Sequence, residues 1–305
     1  MKVLIPGGSG FIGTWTCREL EAQGHEPVVF DRHMRPGLFD EATGDFSFIL
    51  GDVRDATAVT EAVAHVDAVI HLAGVLGTAE TVANPRPAAE TNILGALNAL
   101  EACAHYGVPL VNIAVGNWFE FSPYSVTKHC AERFCEVYRR HRGVRVAVVR
   151  ALNAYGPGQA LPHPWGHSRV RKVIPSFCAR ALSGEPVEVY GDGRQVMDMV
   201  HARDVARVLV AALGYDGDQI LEAGTGRPTT VTDIAEMVCT EVQAQAGIAA
   251  HIRRLPMRPG ETPGAVVLAD PASLAPLGLG PQDMTRLEDG IRETVAHYRK
   301  VLAGG

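Results

Sequence analysis

No stretch of this chain reaches the ~18 consecutive apolar residues that a membrane-spanning helix needs, so the sequence predicts no transmembrane segment. Its opening, MKVLIPGGSG, runs from a strand straight into a glycine turn. It lacks the basic, apolar and small-residue succession of a secretory signal, and the expected location is the cytoplasm. The six cysteines (Cys17, Cys103, Cys130, Cys135, Cys178 and Cys239) form no C-x-x-C pair and stand at no zinc-ligand spacing with the histidines. They read as small buried hydrophobes of a reducing compartment, and no bound metal is expected. A concentrated basic face is missing too. The net charge is −6, and the nearest approach to a basic run, HSRVRK (167–172), is too short to argue for nucleic acid. It reads as a solvated or anion-facing loop. Internal repeats and low-complexity tracts are absent.

What the chain does have is 305 residues, 47% of them hydrophobic. That is enough for a sizeable core in one large or two small domains. In the first half, short β-branched runs alternate with helical patterns. Strands are predicted over 2–6, 27–31, 46–52, 67–74, 109–115 and 145–156, and helices over 11–24, 56–65, 87–107 and 125–143. The strands are apolar without alternation, which implies burial on both faces and a parallel sheet with crossover helices. After 156 the pattern breaks into a Pro/Gly/His-rich loop (157–172). A helix (174–184), a strand (186–190), a GDG turn, a helix (204–213) and a sheet-like return (219–224) follow. The tail holds a helix near 232–244 and a strand near 250–255. The expected fold is α/β: a Rossmann-type doubly wound parallel sheet with a smaller α+β domain interleaved in sequence. The first unit takes 1–152 and about 199–225, the second about 153–198 and 226–305.

LIPGGSGFIG sets Gly7, Gly10 and Gly13 between a strand and a helix. Glycines let the backbone turn tightly and approach a pyrophosphate, and the helix N-terminus supplies N–H groups and a favourable dipole. Phe11 and Ile12 belong to the same turn. The next strand ends at Asp31, where a carboxylate accepts the adenosine ribose hydroxyls and repels a 2′-phosphate, favouring NAD over NADP. Arg32 beside it argues mildly the other way. Asp52 and Val53, in GDVRD, follow the third strand at the edge where open α/β sheets bind ligands. Asp52 is a candidate for the adenine amino group or a plain turn or helix cap.

Tyr124-Ser125-Val126-Thr127-Lys128 places Tyr124 and Lys128 four residues apart, on one helix face. A phenol ionises near pH 10. A neighbouring ammonium favours phenolate and makes Tyr124 a candidate general base.

With these motifs in place the chain resembles the extended short-chain dehydrogenase/reductase family, in particular its NAD-dependent nucleotide-sugar epimerases and dehydratases. The matching segments are GGSGFIG, GDVRD, VIHLAG, TNILGALNALEA, YSVTK, RALNAYGPG, VEVYGDGRQ and RPGET, spread over nearly the whole chain. The resemblance implies that Tyr124 takes a proton from a sugar hydroxyl while hydride leaves that carbon for NAD, giving a transient keto-sugar. It implies that Leu72, Ala73, Gly74 and Asn92 line the cofactor and that Lys128 holds the nicotinamide ribose. It also implies that Asn153 contacts the substrate diphosphate, that Arg258 contacts the diphosphate or the nucleotide ribose, and that the segment holding Lys172 and Val173 packs against the nucleotide base.

Two positions depart from the family. The strand before the tyrosine ends in Val115, where the family has a Ser or Thr that hydrogen-bonds the reacting hydroxyl. Asn117 or Ser122 is a candidate replacement, with Ser122 equally suited to capping the following helix. The acid pair of the dehydratases is Gly116-Asn117 here, and Glu120 is the only nearby acid. Met197 stands where an arginine often binds diphosphate, leaving Arg194 or the 167–172 loop to supply the charge. The reading is therefore an NAD-dependent nucleotide-sugar epimerase resembling UDP-glucose 4-epimerase. The alternatives are a decarboxylase, dehydratase or oxidoreductase on the same frame, or a non-catalytic NAD sensor. The substrate would be a UDP-, dTDP- or GDP-linked sugar, and no nucleic-acid or membrane partner is expected. A homodimer built on helices 87–107 and 125–143 is expected.

Overall fold

A computed structural model of the chain describes residues 1–34 and 46–304. The first half runs β1 (Lys2–Pro6), α1 (Phe11–Ala22), β2 (Glu26–Asp31), β3 (Ser47–Leu50), α2 (Ala56–Val63), β4 (Ala68–His71), α3 (Thr78–Ala83), α4 (Arg86–Ala88), a π-helical turn (Ala89–Leu94), α5 (Gly95–Tyr106), β5 (Leu110–Val115), α6 (Pro123–Arg142) and β6 (Val146–Ala151). The second half runs β7 (Asn153–Tyr155), α7 (Val173–Leu182), β8 (Val187–Tyr190), β9 (Val196–Met197), β10 (Met199–His201), α8 (Ala202–Ala211), β11 (Leu221–Ala223), β12 (Thr229–Thr230), α9 (Val231–Ala246), β13 (Ile252–Leu255), β14 (Val266–Val267) and α10 (Leu287–Ala303).

Seven strands form one sheet in the order β11-β6-β5-β4-β1-β2-β3, every neighbouring pair parallel. This is the doubly wound α/β sheet that the apolar runs predict. The central strands bury side chains on both faces. Val3 and Ile5 join Cys17, Leu20, Val205 and Leu209 in one core, while Leu4 joins Val59, Leu100, Cys103 and Tyr138 in the other. Chain order reverses between β1 and β4, and the crevice for a ligand opens there, outside the strands' C-terminal ends. A third core gathers Ile174, Phe177, Val187, Val189, Ile234, Val238, Ile291 and Val295 from α7, β8, α9 and α10. It packs under small sheets pairing β10 with β7, β12 and β14 with β9, and β13 with β8.

Several elements differ from expectation. The single strand over 145–156 is two. β6 ends at Ala151, the Leu152 N–H donates to Ala223 O, and the chain then turns so that β7 pairs with β10 in another sheet. The helix over 87–107 is continuous in space but is π-wound over Ala89–Leu94. α8 starts at Ala202, earlier than expected, because the His201 ring accepts the Arg203 N–H at 3.1 Å and caps it. α10, 17 residues long, has no counterpart in the sequence reading. Cys17, Cys103, Cys135 and Cys178 are buried, Cys130 and Cys239 half-buried, and all six are free thiols. Among the described residues, no helix is long and apolar enough to cross a membrane.

Candidate active site

One cavity of about 760 Å³ runs along the C-terminal edge of the sheet and on between the main sheet and the third core. At one end lies the glycine turn. Gly7 has φ +86°, and a Cβ there would stand 2.6 Å from the Ala73 backbone nitrogen. A Cβ on Gly13 would meet Gly8 O at 2.5 Å. Gly10 caps α1 without a side chain, so the first-turn amides face the cavity unblocked, as a bound anion requires. Gly7, Gly10, Phe11, Ile12 and Gly13 all line it. The Asp31 carboxylate accepts the Ser9 N–H at 3.1 Å and the Arg32 N–H at 2.7 Å, which fixes it at the strand end. The Ser9 hydroxyl is buried with no partner. A cradle closed to a Cβ at Gly7 and Gly13, open helix amides and a fixed strand-end carboxylate fit a dinucleotide.

Asp52 and Val53 line the same end. Asp52, however, is gripped by Arg54, with Nη2 to Oδ2 at 2.6 Å and Nε to Oδ1 at 3.0 Å, and Arg32 lies 3.9 Å away. Arg54's hydrogen bond holds the Asp52 carboxyl below its usual range against the opposing effect of burial. Arg32 is thereby turned toward Asp52. Leu72, Ala73 and Gly74 line the cavity; Asn92 stands behind them. Its Oδ1 accepts the Val75 N–H at 2.7 Å, and its Nδ2 donates to Val75 O at 3.2 Å and Thr127 Oγ1 at 2.9 Å. Asn92 thus clamps the loop after β4 to α6 and is not among the residues that line the cavity. The π-turn, a winding often found at functional sites, carries it.

Tyr124 and Lys128 sit midway along the cavity. Pro123 occupies the first turn of α6, and the Tyr124 N–H donates to Thr81 Oγ1 at 3.2 Å. Lys128 is 4% exposed, and burial lowers its pKa to about 8 while Cys135 and Glu132 oppose the shift. Burial pushes the Tyr124 phenol above its ordinary value. The lowered phenol expected from the Lys128 ammonium therefore meets a larger opposing effect, desolvation of the phenolate.

Val115, 5% exposed, lines the cavity with its methyls. Asn117 and Glu120 line it beside Val115, with Asn117 Nδ2 donating to Glu120 Oε2 at 2.6 Å. Burial raises the Glu120 carboxyl, the hydrogen bond from Asn117 lowers it, and Glu261 raises it again. Ser122 is elsewhere: its Oγ accepts the Ser125 N–H at 3.1 Å and caps α6, buried away from the cavity lining. Of the two candidate replacements for the strand-end hydroxyl, only Asn117 faces the cavity.

At the far end, Asn153, Lys172, Val173 and Arg258 line the wall. Asn153 Nδ2 is buried without a partner. The Arg258 guanidinium stacks 4.8 Å from the Tyr190 ring centre and pairs with Glu261. Arg171 donates to Tyr190 OH at 2.9 Å. Arg194 lies apart, exposed on the turn after β8 with its N–H on Asp192, whereas Arg171 and Lys172 of the 167–172 loop line the cavity, as Met197 does. Sequence reasoning did not single out Glu80, Glu188, Tyr190 or Glu261, all of which line the cavity. The alternation in VEVY carried the signal for two of them, since Val187 and Val189 fill the core while Glu188 and Tyr190 take the other face.

A sequence model described as the NAD dependent epimerase/dehydratase family matches residues 3–224. A dTDP-glucose 4,6-dehydratase of Actinoplanes sp. is 31% identical, covering 98% of this chain and 98% of its own. The crystal structure of Thermus thermophilus UDP-glucose 4-epimerase in complex with NAD superposes with a TM-score of 0.84 at 31% identity, over 98% of this chain and 99% of that one. That of a Thermotoga maritima UDP-glucose 4-epimerase with UDP-glucose gives 0.86 at 27% identity, over 99% and 100%.

Proposed function

Because the chain belongs to the NAD dependent epimerase/dehydratase family, with NAD as its cofactor, we propose that it epimerises a nucleotide-linked sugar through a transient keto-sugar. The observation that carries this reading is the single cavity that joins the glycine turn to the Tyr190–Arg258 wall, with Tyr124 and Lys128 between them. We assign residues 1–152 and about 199–225 to the cofactor unit and the remainder to the substrate unit.

NAD supplies the hydride acceptor when bound. Asp31 receives the adenosine ribose, and the first-turn amides of α1 receive the pyrophosphate. Tyr124 takes the proton of the reacting hydroxyl and returns it on the way back. Lys128 favours the phenolate while that proton is held. Asn117 offers the polar contact that Val115 lacks. Asn153, Arg171 and Arg258 hold the diphosphate, Tyr190 flanks the nucleoside, and Lys172 and Val173 border it. Homodimerisation through α5 and α6 belongs to this reading, supported by exposed Tyr106 on α5 and Val126 and Val137 on α6, and so does a cytoplasmic location.

Glu120 favours a second reading. A half-buried carboxyl in the cavity, raised by burial, suits elimination or decarboxylation beside a keto group. Proton NMR of the protein with NAD and UDP-, dTDP- and GDP-sugars separates the two. A new sugar diphosphate without accumulated reduced cofactor supports epimerisation. An alkene, a lost carboxylate or accumulated reduced cofactor moves the assignment to the second reading or to net oxidation. Absence of turnover across the panel refutes both.

A further inference from the structure

Tyr124 stands between two lysines. Lys128 comes from its own helix. Lys172 comes from the opposite wall, as the N-cap residue of α7, where its side chain makes no capping bond. The Lys172 ammonium lies 6.0 Å from the centre of the Tyr124 ring, within range of the ring's electrostatic attraction for a cation. Both residues line the one cavity. The carboxylates on the Lys172 side are already engaged: Glu188 with Arg171, Arg180 and Arg253, and Glu261 with Arg258. Glu80, from α3, is the carboxylate whose field reaches Lys172, opposing burial and Arg258.

We propose that Lys172 is a second cation for the Tyr124 phenolate, a positioning residue through which the substrate wall controls the basicity of the tyrosine. The charged groups along this part of the cavity are Lys128 on α6, Lys172 at the N-cap of α7 with Arg171 before it, Arg180 on α7, Glu188 on β8, Glu80 on α3, Glu120 on the loop after β5, and Arg258 and Glu261 on the loop after β13. Arg258 is paired with Glu261. Burial lowers the pKa of Lys128 to about 8 and lowers that of Lys172 as well, with Glu80 opposing the shift at Lys172. Lys172 adds a second positive charge beside the ring. Because it arrives from the other core, Tyr124 becomes a strong base only where the two walls face each other, with a sugar between them.

The proposal rests on Tyr124 being the general base, but its test reads the phenol directly and needs no substrate. In the NAD-loaded protein, the tyrosinate absorbance is titrated and the same titration of Tyr124→Phe is subtracted, isolating Tyr124 from the other tyrosines. In Lys172→Met the isolated titration moves up by about one pH unit. Lys172→Arg, which keeps the charge, restores it and also guards against a folding artefact. Once a substrate is known, the acid limb of the kcat profile moves with the phenol. An unmoved phenol in Lys172→Met overturns the proposal. If UDP affinity falls roughly tenfold at the same time, about what one lost charge-assisted contact costs, Lys172 is a diphosphate ligand instead.

Discussion

A valine where a strand-end hydroxyl is expected can be tested by moving the polar group back. Asn117→Ala removes the amide that faces the cavity and also releases Glu120, whose carboxyl is held down by that amide against the effect of burial. Losing one hydrogen-bonding partner in a buried site costs about 1–3 kcal/mol, so kcat/KM falls roughly ten- to hundredfold. Val115→Thr keeps the β-branch that suits β5 and sets a hydroxyl into the cavity that Val115 already lines. In the parent it changes the rate little, because the reacting hydroxyl already has Asn117. In the Asn117→Ala background it restores most of the loss, so the two substitutions are coupled by about the energy of the single contact. Ser122→Ala is the control: it loses a helix cap, costs about 1 kcal/mol of stability, and leaves the rate near the parent. The assay is initial-rate kinetics at saturating NAD, on the substrate identified by NMR, across the four-member cycle. Strict additivity, or an Asn117→Ala enzyme as fast as its parent, refutes the reasoning.

Three other outcomes are expected. Tyr124→Phe loses turnover while calorimetry finds its NAD affinity nearly unchanged; retained turnover removes the proton-transfer role. Gly7→Ala meets the Ala73 backbone and carries a side chain into a left-handed conformation that costs ~1–2 kcal/mol, so NAD affinity drops at least tenfold with the circular dichroism preserved. Undiminished affinity would mean that the turn is not the pyrophosphate cradle. His71 is wholly buried with neither ring nitrogen partnered, and burial, helped by the Lys128 charge, lowers its pKa from 6.5 to about 3. Between those values the unfolded chain binds a proton that the folded chain refuses, so stability falls as pH drops below 6.5. His201, lowered to about 4, acts in the same sense. Urea midpoints of His71→Leu across this range decline less steeply than the parent's; parallel declines would exclude His71 as a source.

The sheet was legible because its strands are buried on both faces and so read as unbroken apolar runs. The glycine turn, Asp31 and the Tyr124–Lys128 spacing were legible because each is local: a few neighbouring residues carry the whole geometry. α10 was hidden in part by Gly290, a poor helix former in its first turn. The structure explains that glycine, since a Cβ there would run into the Tyr155 ring. The split after Ala151 was hidden because Leu152 and Asn153 are as strand-like as their neighbours, and only the positions of β10 and β11 send them to different sheets. The bonds that Asn92 makes were not legible, because its amide partners Val75 and Thr127 lie 17 and 35 residues away. The far wall of the cavity is assembled from loops that meet only after both cores close, and no local pattern marks Glu80 or Glu261.

The placement of β11 has a consequence for how the chain comes off the ribosome. The sheet's last strand is Leu221–Ala223, although the other six are complete by Ala151. Until some seventy further residues have been made, the outer hydrogen-bonding groups of Val149, Arg150 and Ala151, the part of β6 that β11 pairs with, have no neighbouring strand. Nascent chains of that length carry an unprotected sticky border and are the species most in need of chaperone cover. A truncation before Leu221 should therefore yield aggregates in place of a free NAD-binding fragment, whereas one just beyond Ala223 supplies the strand that closes the border.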